Sequence, residues 1–90
     1  MDELGAGLAA LARERGALAS WTRIAVHGAA RPVRDTFRLD FADGRTCKGR
    51  RLDAEETARR VEAIVARLDP ARFPRVLARR GAALLEEWIP

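Results

Sequence analysis

Leucines at positions 4, 8, 11 and 18, with alanines filling many of the gaps, draw one apolar stripe along the first twenty residues. Their spacing of 4, 3 and 7 fits a period of 3.6 residues, which predicts an amphipathic helix over residues 2–19. Gly5, Gly7 and Gly16 weaken it, each by about 1 kcal/mol relative to Ala in a helix interior, so its ends should fray. Trp21-Thr-Arg-Ile-Ala-Val26 is a β-favouring run, closed by His27-Gly28-Ala-Ala-Arg-Pro32, where Gly and Pro mark a loop. From Val33 the period drops to two. Phe37, Leu39 and Phe41 alternate with Arg38 and Asp40, the pattern of a half-buried strand. Asp43-Gly44 then signals a hairpin, because a two-residue type I′ turn needs positive φ at both central positions. Residues 45–52 should return as its second strand.

A second helix is predicted over residues 53–69. Asp53 can cap its first turn, and Glu56 three residues later completes a variant of the capping box. Val61, Ile64, Val65 and Leu68 form the stripe expected to be buried, and Pro70 stops the helix. Beyond Pro74, Val76–Arg80 and Ala82–Ile89 read as a second hairpin, turning at Arg80-Gly81. The order helix, strand, hairpin, helix, hairpin predicts an α+β fold. It comprises an N-terminal helix (residues 1–20), then a mostly antiparallel five-stranded sheet with one packed helix (residues 21–90).

Ninety residues make one small domain, and at 48% hydrophobic the chain is too apolar for intrinsic disorder. No apolar run approaches the ~20 residues that cross a bilayer. The start, Met1-Asp2-Glu3, is acidic where a secretory signal would be basic. A soluble cytoplasmic chain with no membrane partner is therefore expected. The single cysteine, Cys47, rules out an internal disulfide framework and a multi-cysteine zinc site. It reads as a small apolar residue. His27 has no second histidine or cysteine at ligand spacing, and Ser20 has no triad partner.

Sixteen arginines and one lysine face thirteen acids, for a formal charge of +4. Acids are interleaved with the arginine pairs, and the five aromatic residues sit at apolar-patterned positions. A solvated charged surface accounts for this better than a nucleic-acid interface, which clusters its charge and adds stacking aromatics.

That sole lysine stands out. If Asp43 and Gly44 are the two central turn residues, position 41 faces 46 and 39 faces 48. Lys48 would then share a face with Phe37, Leu39 and Phe41, since directly paired residues point the same way. A buried ammonium needs a partner. Glu62, beside Val61 on the following helix, is the candidate; Glu55 and Glu56 lie in the first turn, where they serve the helix dipole. The alternative is that Lys48 snorkels to water at the strand edge.

The residues Phe37-Arg-Leu-Asp-Phe-Ala-Asp-Gly-Arg-Thr-Cys-Lys48, the helix bearing Glu62, and Phe73-Pro-Arg-Val-Leu-Ala-Arg-Arg-Gly-Ala-Ala-Leu-Leu-Glu-Glu-Trp-Ile-Pro90 carry a resemblance. From Thr36 to Pro90 the chain resembles the N-terminal, ATP-binding lobe of the aminoglycoside-phosphotransferase and choline-kinase group of protein-kinase-like enzymes. The match is looser over the first 35 residues.

The resemblance implies that Lys48 contacts the nucleotide's α/β-phosphates and that Glu62 pairs with it. It implies that Glu87, Trp88 and Ile89 form the hinge that hydrogen-bonds adenine, and that Leu39 and Leu85 line the adenine slot. It also places residues 27–36 over the phosphates, with only Gly28 as a glycine in that loop. The implied cofactors are ATP and Mg2+, and the implied parent reaction is phosphoryl transfer to a small hydroxylated substrate.

The family's catalytic aspartate and metal ligands belong to a second lobe, and no such motif occurs in these ninety residues. No catalytic or metal-binding residue is therefore expected here, and a truncated or split coding region, or an isolated lobe, is suggested. Such a lobe would bind nucleotide, need a C-terminal lobe for activity, and tend to self-associate through its bare surface. Two other classes compete. A non-catalytic α+β interaction module predicts an exposed Lys48 on a face covered by another chain. A basic nucleic-acid-binding domain predicts a contiguous basic patch. A phosphotransferase lobe predicts a Lys48–Glu62 pair at hydrogen-bonding distance, next to a concave face bounded by Lys48 and the hinge.

Overall fold

The computed structural model describes residues 4–24 and 35–89. The predicted loop with His27, Gly28 and Pro32, and the end of the β-run at Val26, lie outside the described residues.

The fold is α+β. A five-stranded, wholly antiparallel sheet carries one helix on each face. Helix α1 (Gly5–Arg15) leads into β1 (Leu18–Arg23), β2 (Asp35–Phe41) and β3 (Thr46–Arg51). Helix α2 (Glu55–Val65) follows, then β4 (Val76–Arg80) and β5 (Ala83–Glu87). The sheet order is β1-β2-β3-β5-β4, so α2 lies in the connection that carries the chain from β3 to the far edge.

Helix α1 is shorter than the leucine spacing predicts. It stops at Gly16, whose N–H bonds the Ala12 carbonyl, and Leu18 is already in β1, paired with Phe41. Its buried face, Leu4, Leu8, Leu11 and Ala12, packs on the inner side of the sheet against Phe37, Leu39, Phe41, Cys47 and Leu85. Gly49 makes this approach possible. A Cβ there would stand 2.9 Å from Leu8 Cδ1 and 3.1 Å from Leu39 Cδ1.

Helix α2 departs from expectation at both ends. Ala54 is its N-cap and makes no side-chain cap bond, so Asp53 does not cap it, and the helix ends at Val65, short of Pro70. Glu55 and Glu56 do occupy the first turn, and each pairs with the arginine four residues on, Arg59 and Arg60. The apolar stripe is not buried as predicted. Only Ala58 is fully covered, against Leu52 and Leu84, while Val61 and Val65 are half-buried and Ile64 is 60% exposed. The reason is placement: α2 packs mainly on β4 and β5, and this narrow strip of sheet does not cover a whole helix face.

The β2–β3 turn decides the site. Phe41 donates to the Arg45 carbonyl and Gly44 donates to the Phe41 carbonyl, with Gly44 at φ +90°. This is a three-residue loop, Ala42-Asp43-Gly44, with a left-handed glycine closing it, rather than the two-residue turn predicted. Asp43 Oδ1 accepts from the Arg45 N–H and fixes the loop. The extra residue shifts the register by one. Leu39 pairs with Cys47 and Arg38 with Lys48. Because side chains alternate, a slip of one moves every residue of β3 to the other face.

Candidate functional site

Lys48 therefore does not share the core face with Phe37, Leu39 and Phe41. Cys47 and Gly49 take those inward positions, and Cys47 is buried as a small apolar residue. Lys48, with Thr46 and Arg50, points to the outer face, the one that α2 partly covers. The second hairpin turns at Gly81-Ala82, with Arg80 opposite Ala83. This puts Leu84 and Glu86 on the outer face and Leu85 on the inner one.

Over β1, β2 and β3 the outer face is polar. Thr22 pairs with Arg38, and Ser20 with Asp40. Asp40 Oδ1 accepts from Arg38 Nε at 3.1 Å and from Thr46 Oγ1 at 3.0 Å. The Arg38 guanidinium carbon sits 5.2 Å from the centroid of the Trp88 ring, a cation–π stack that places Trp88 on this face. Arg50 grips Glu86 with two bonds, Nε to Oε2 at 2.7 Å and Nη2 to Oε1 at 3.0 Å. Glu86 is 3% exposed, a buried carboxylate held by a bidentate partner.

Lys48 stands between these groups. Its cross-strand neighbours are Arg38 on β2 and Glu86 on β5. Glu86 is committed to Arg50, and Asp40 to Arg38 and Thr46. Half-buried Lys48 itself forms no ion pair among the described residues.

Glu62 does not supply the missing carboxylate. It lies on the same outer face, but its Oε1 accepts from Arg79 Nε of β4 at 3.1 Å. Arg79 also donates to the Gly81 carbonyl, so the Glu62–Arg79 contact ties α2 to the sheet edge. The expected Lys48–Glu62 pair is absent. A depression of about 240 Å³ does border Glu62, between Val65, Leu68, Pro70 and Val76, but it opens at the C-terminal end of α2 and reaches neither Lys48 nor the hinge residues.

The other predicted site residues divide. Leu39 and Leu85 are 0% and 1% exposed in the core beneath α1, so they cannot line a slot on the outer face. Glu87 ends β5. Its N–H is taken by the Arg75 carbonyl, and its carboxylate accepts from the Arg75 N–H, Nε and Nη2. The Arg75 guanidinium, and after it the Arg75 backbone N–H, hold this carboxyl below its ordinary value of 4.5. Trp88 and Ile89 follow the last strand, with Trp88 half-buried against Arg38 and Ile89 56% exposed.

The sequence reading passed over Arg38, Asp40, Thr46, Arg50 and Glu86. A signal for two of them is present: Thr46 and Arg50, with Lys48 between them, alternate with Cys47 and Gly49, and polarity alone groups the three. Glu86 carried no such signal, because its partner Arg50 is 36 positions away.

Among the described residues no three His, Cys, Asp or Glu side chains converge to hold a metal. None of their helices is long and apolar enough to cross a membrane. The ion pairs formed among the described residues give nine arginines an acidic partner, which interleaves negative charge with the positive surface. Comparisons with protein-family models, curated proteins and solved structures found nothing that matches this chain.

Proposed function

We propose that this domain is the nucleotide-holding small lobe of a kinase-like phosphotransferase, inactive without a second lobe. The carrying observation is Lys48, a cation with no ion-pair partner among the described residues, on the polar outer face opposite Arg38, which stacks on Trp88 just past β5. An ammonium held between strands and left unpaired favours an anion, because each phosphate oxygen supplies what the neighbouring carboxylates do not. The Lys48–Glu62 pair that such a lobe predicts is not formed, so the reading rests instead on the outer-face position of Lys48. A lysine buried under α1 could not meet a nucleotide, whereas Lys48 on the outer face shares it with α2 and Trp88. The element order after α1 (strand, hairpin, helix, then two strands) is also the one that the resemblance implies.

In this reading Lys48 contacts the phosphates without Glu62, which serves Arg79. The acid opposite Lys48 in the ladder is Glu86, and Arg50 neutralises it, so Lys48 keeps its charge for a ligand. Trp88 and Ile89 present backbone to the adenine edge; Glu87 has already spent its N–H on Arg75. The Mg2+ ligands and the catalytic base come from the second lobe, as does the choice of acceptor. Transfer chemistry rests on those groups, so the chain alone binds nucleotide and does not turn it over.

Calorimetric titration with ATP and Mg2+ tests the reading. Wild type should bind, and Lys48→Ala should lose most of the affinity while keeping its circular dichroism spectrum. Equal binding by the two proteins, or none by wild type, sinks it. One observation favours a second reading as a non-catalytic interaction module: Ile64, Leu68 and Phe73 leave an apolar surface along and beyond α2. A dimer that forms through that surface, with no nucleotide binding, would select this reading instead.

A further inference from the structure

We infer that Arg38 is a second polyphosphate-binding cation beside Lys48, and that the Trp88 ring is where its guanidinium rests when no ligand is bound. The inference depends on the nucleotide reading for the identity of the ligand. What it adds is a residue, a resting state and an optical signature.

Three observations carry it. Arg38 and Lys48 are directly opposed across β2 and β3, which sets their Cβ atoms about 5 Å apart. Like charges so placed repel, and a chain with free choice at a half-exposed position has no stability reason to keep both. Asp40 offsets only part of this, because its Oδ1 is shared between Arg38 and Thr46. Three cations, Arg38, Lys48 and Arg50, thus face two carboxylates, Asp40 and Glu86, and the unmatched charge sits at Lys48.

The second observation is the stack. Arg38 lies over Trp88 at 5.2 Å while its Nε is fixed by Asp40, which leaves its two terminal nitrogens free of any protein acceptor among the described residues. A guanidinium offers those nitrogens as a fork that suits two phosphate oxygens. The third is exposure. The Arg38 side chain is 48% accessible, so it can swing off the ring without disturbing the core. Lys48 gives a point charge and Arg38 a planar fork, and together they span adjacent phosphates as neither does alone.

The test uses the full chain and two probes, MgATP and inorganic tripolyphosphate with Mg2+. A Trp21→Phe background leaves Trp88 as the only indole. Tripolyphosphate should change Trp88 emission, because it draws the cation off the ring and has no ring of its own. Arg38→Gln should abolish that change and weaken both probes by roughly ten-fold or more, the effect of one charge-assisted contact. Arg38→Lys should keep part of the affinity.

If Arg38→Gln binds both probes like wild type while Lys48→Ala does not, the inference is overturned and the nucleotide reading stands. If tripolyphosphate binding depends on Arg38 but MgATP binds no tighter, the cation pair stands and the nucleotide reading falls. If wild type binds neither probe, both fall.

Discussion

Replacing Arg50 by Met removes both bonds to Glu86 and leaves a carboxylate that is 4% exposed without its partner. Breaking a fully buried ion pair from one side costs about 3–5 kcal/mol. Here Arg50 is itself 21% exposed, so some water reaches the vacated space, and Lys48 across the ladder can lean toward the orphaned charge. Both effects reduce the penalty, to about 2–3 kcal/mol. For a domain of this size, with a urea m-value near 1 kcal/mol/M, the midpoint should fall by roughly 2–3 M with little change in slope. The double variant Arg50→Met/Glu86→Met should recover most of the loss, since apolar side chains of similar volume often replace a buried pair without cost. Nucleotide affinity supplies the second readout. Arg50→Met alone should weaken MgATP binding, because Lys48 turns to Glu86. A stability loss under about 0.5 kcal/mol, or a double variant that is worse than the single, would refute the claim that Arg50 keeps Glu86 away from Lys48.

Three further outcomes are expected. Gly49→Ala should cost about 1–3 kcal/mol in denaturant unfolding by pushing Leu8 off the sheet, and a neutral result would contradict the close seat of α1 on β3. Glu87 should titrate below 4.5 by carboxyl NMR, and Arg75→Gln should raise its midpoint. Because its folded value is lowered, the Glu87–Arg75 contact stabilises fully above about pH 4.5 and is lost as pH falls through that lowered value. Ile64→Lys should change monomer stability by no more than about 0.5 kcal/mol, since the side chain is already 60% exposed; a larger loss would mean that the α2 stripe is covered.

The elements were legible because their periods are strong: alternation through Phe37, Leu39 and Phe41, and the run from Val76 to Glu87 interrupted by Gly81. The faces were harder. An Asp-Gly pair fits a two-residue turn and also a three-residue loop closed by a left-handed glycine, and the difference of one residue exchanges core for surface along β3. That slip alone assigns Lys48 to the core, whereas the slot at Leu39 and Leu85 follows from the resemblance and fails because both lie beneath α1. The α2 stripe failed for another reason. Periodicity states which residues share a face but not how much sheet lies beneath it, and beneath α2 that is mainly β4 and β5. The Glu62 partner was misread because Arg79, 17 positions on, is brought alongside by the sheet edge and not by local pattern.

The face that carries Lys48 can be interrogated at residue resolution. In a uniformly 15N-labelled sample titrated with MgATP, the account predicts that the largest shift changes fall on the amides of Arg38, Thr46 and Lys48 and on the Trp88 indole N–H. Changes confined to α1 and the Leu39–Leu85 side of the sheet, or none at saturating nucleotide, would contradict it.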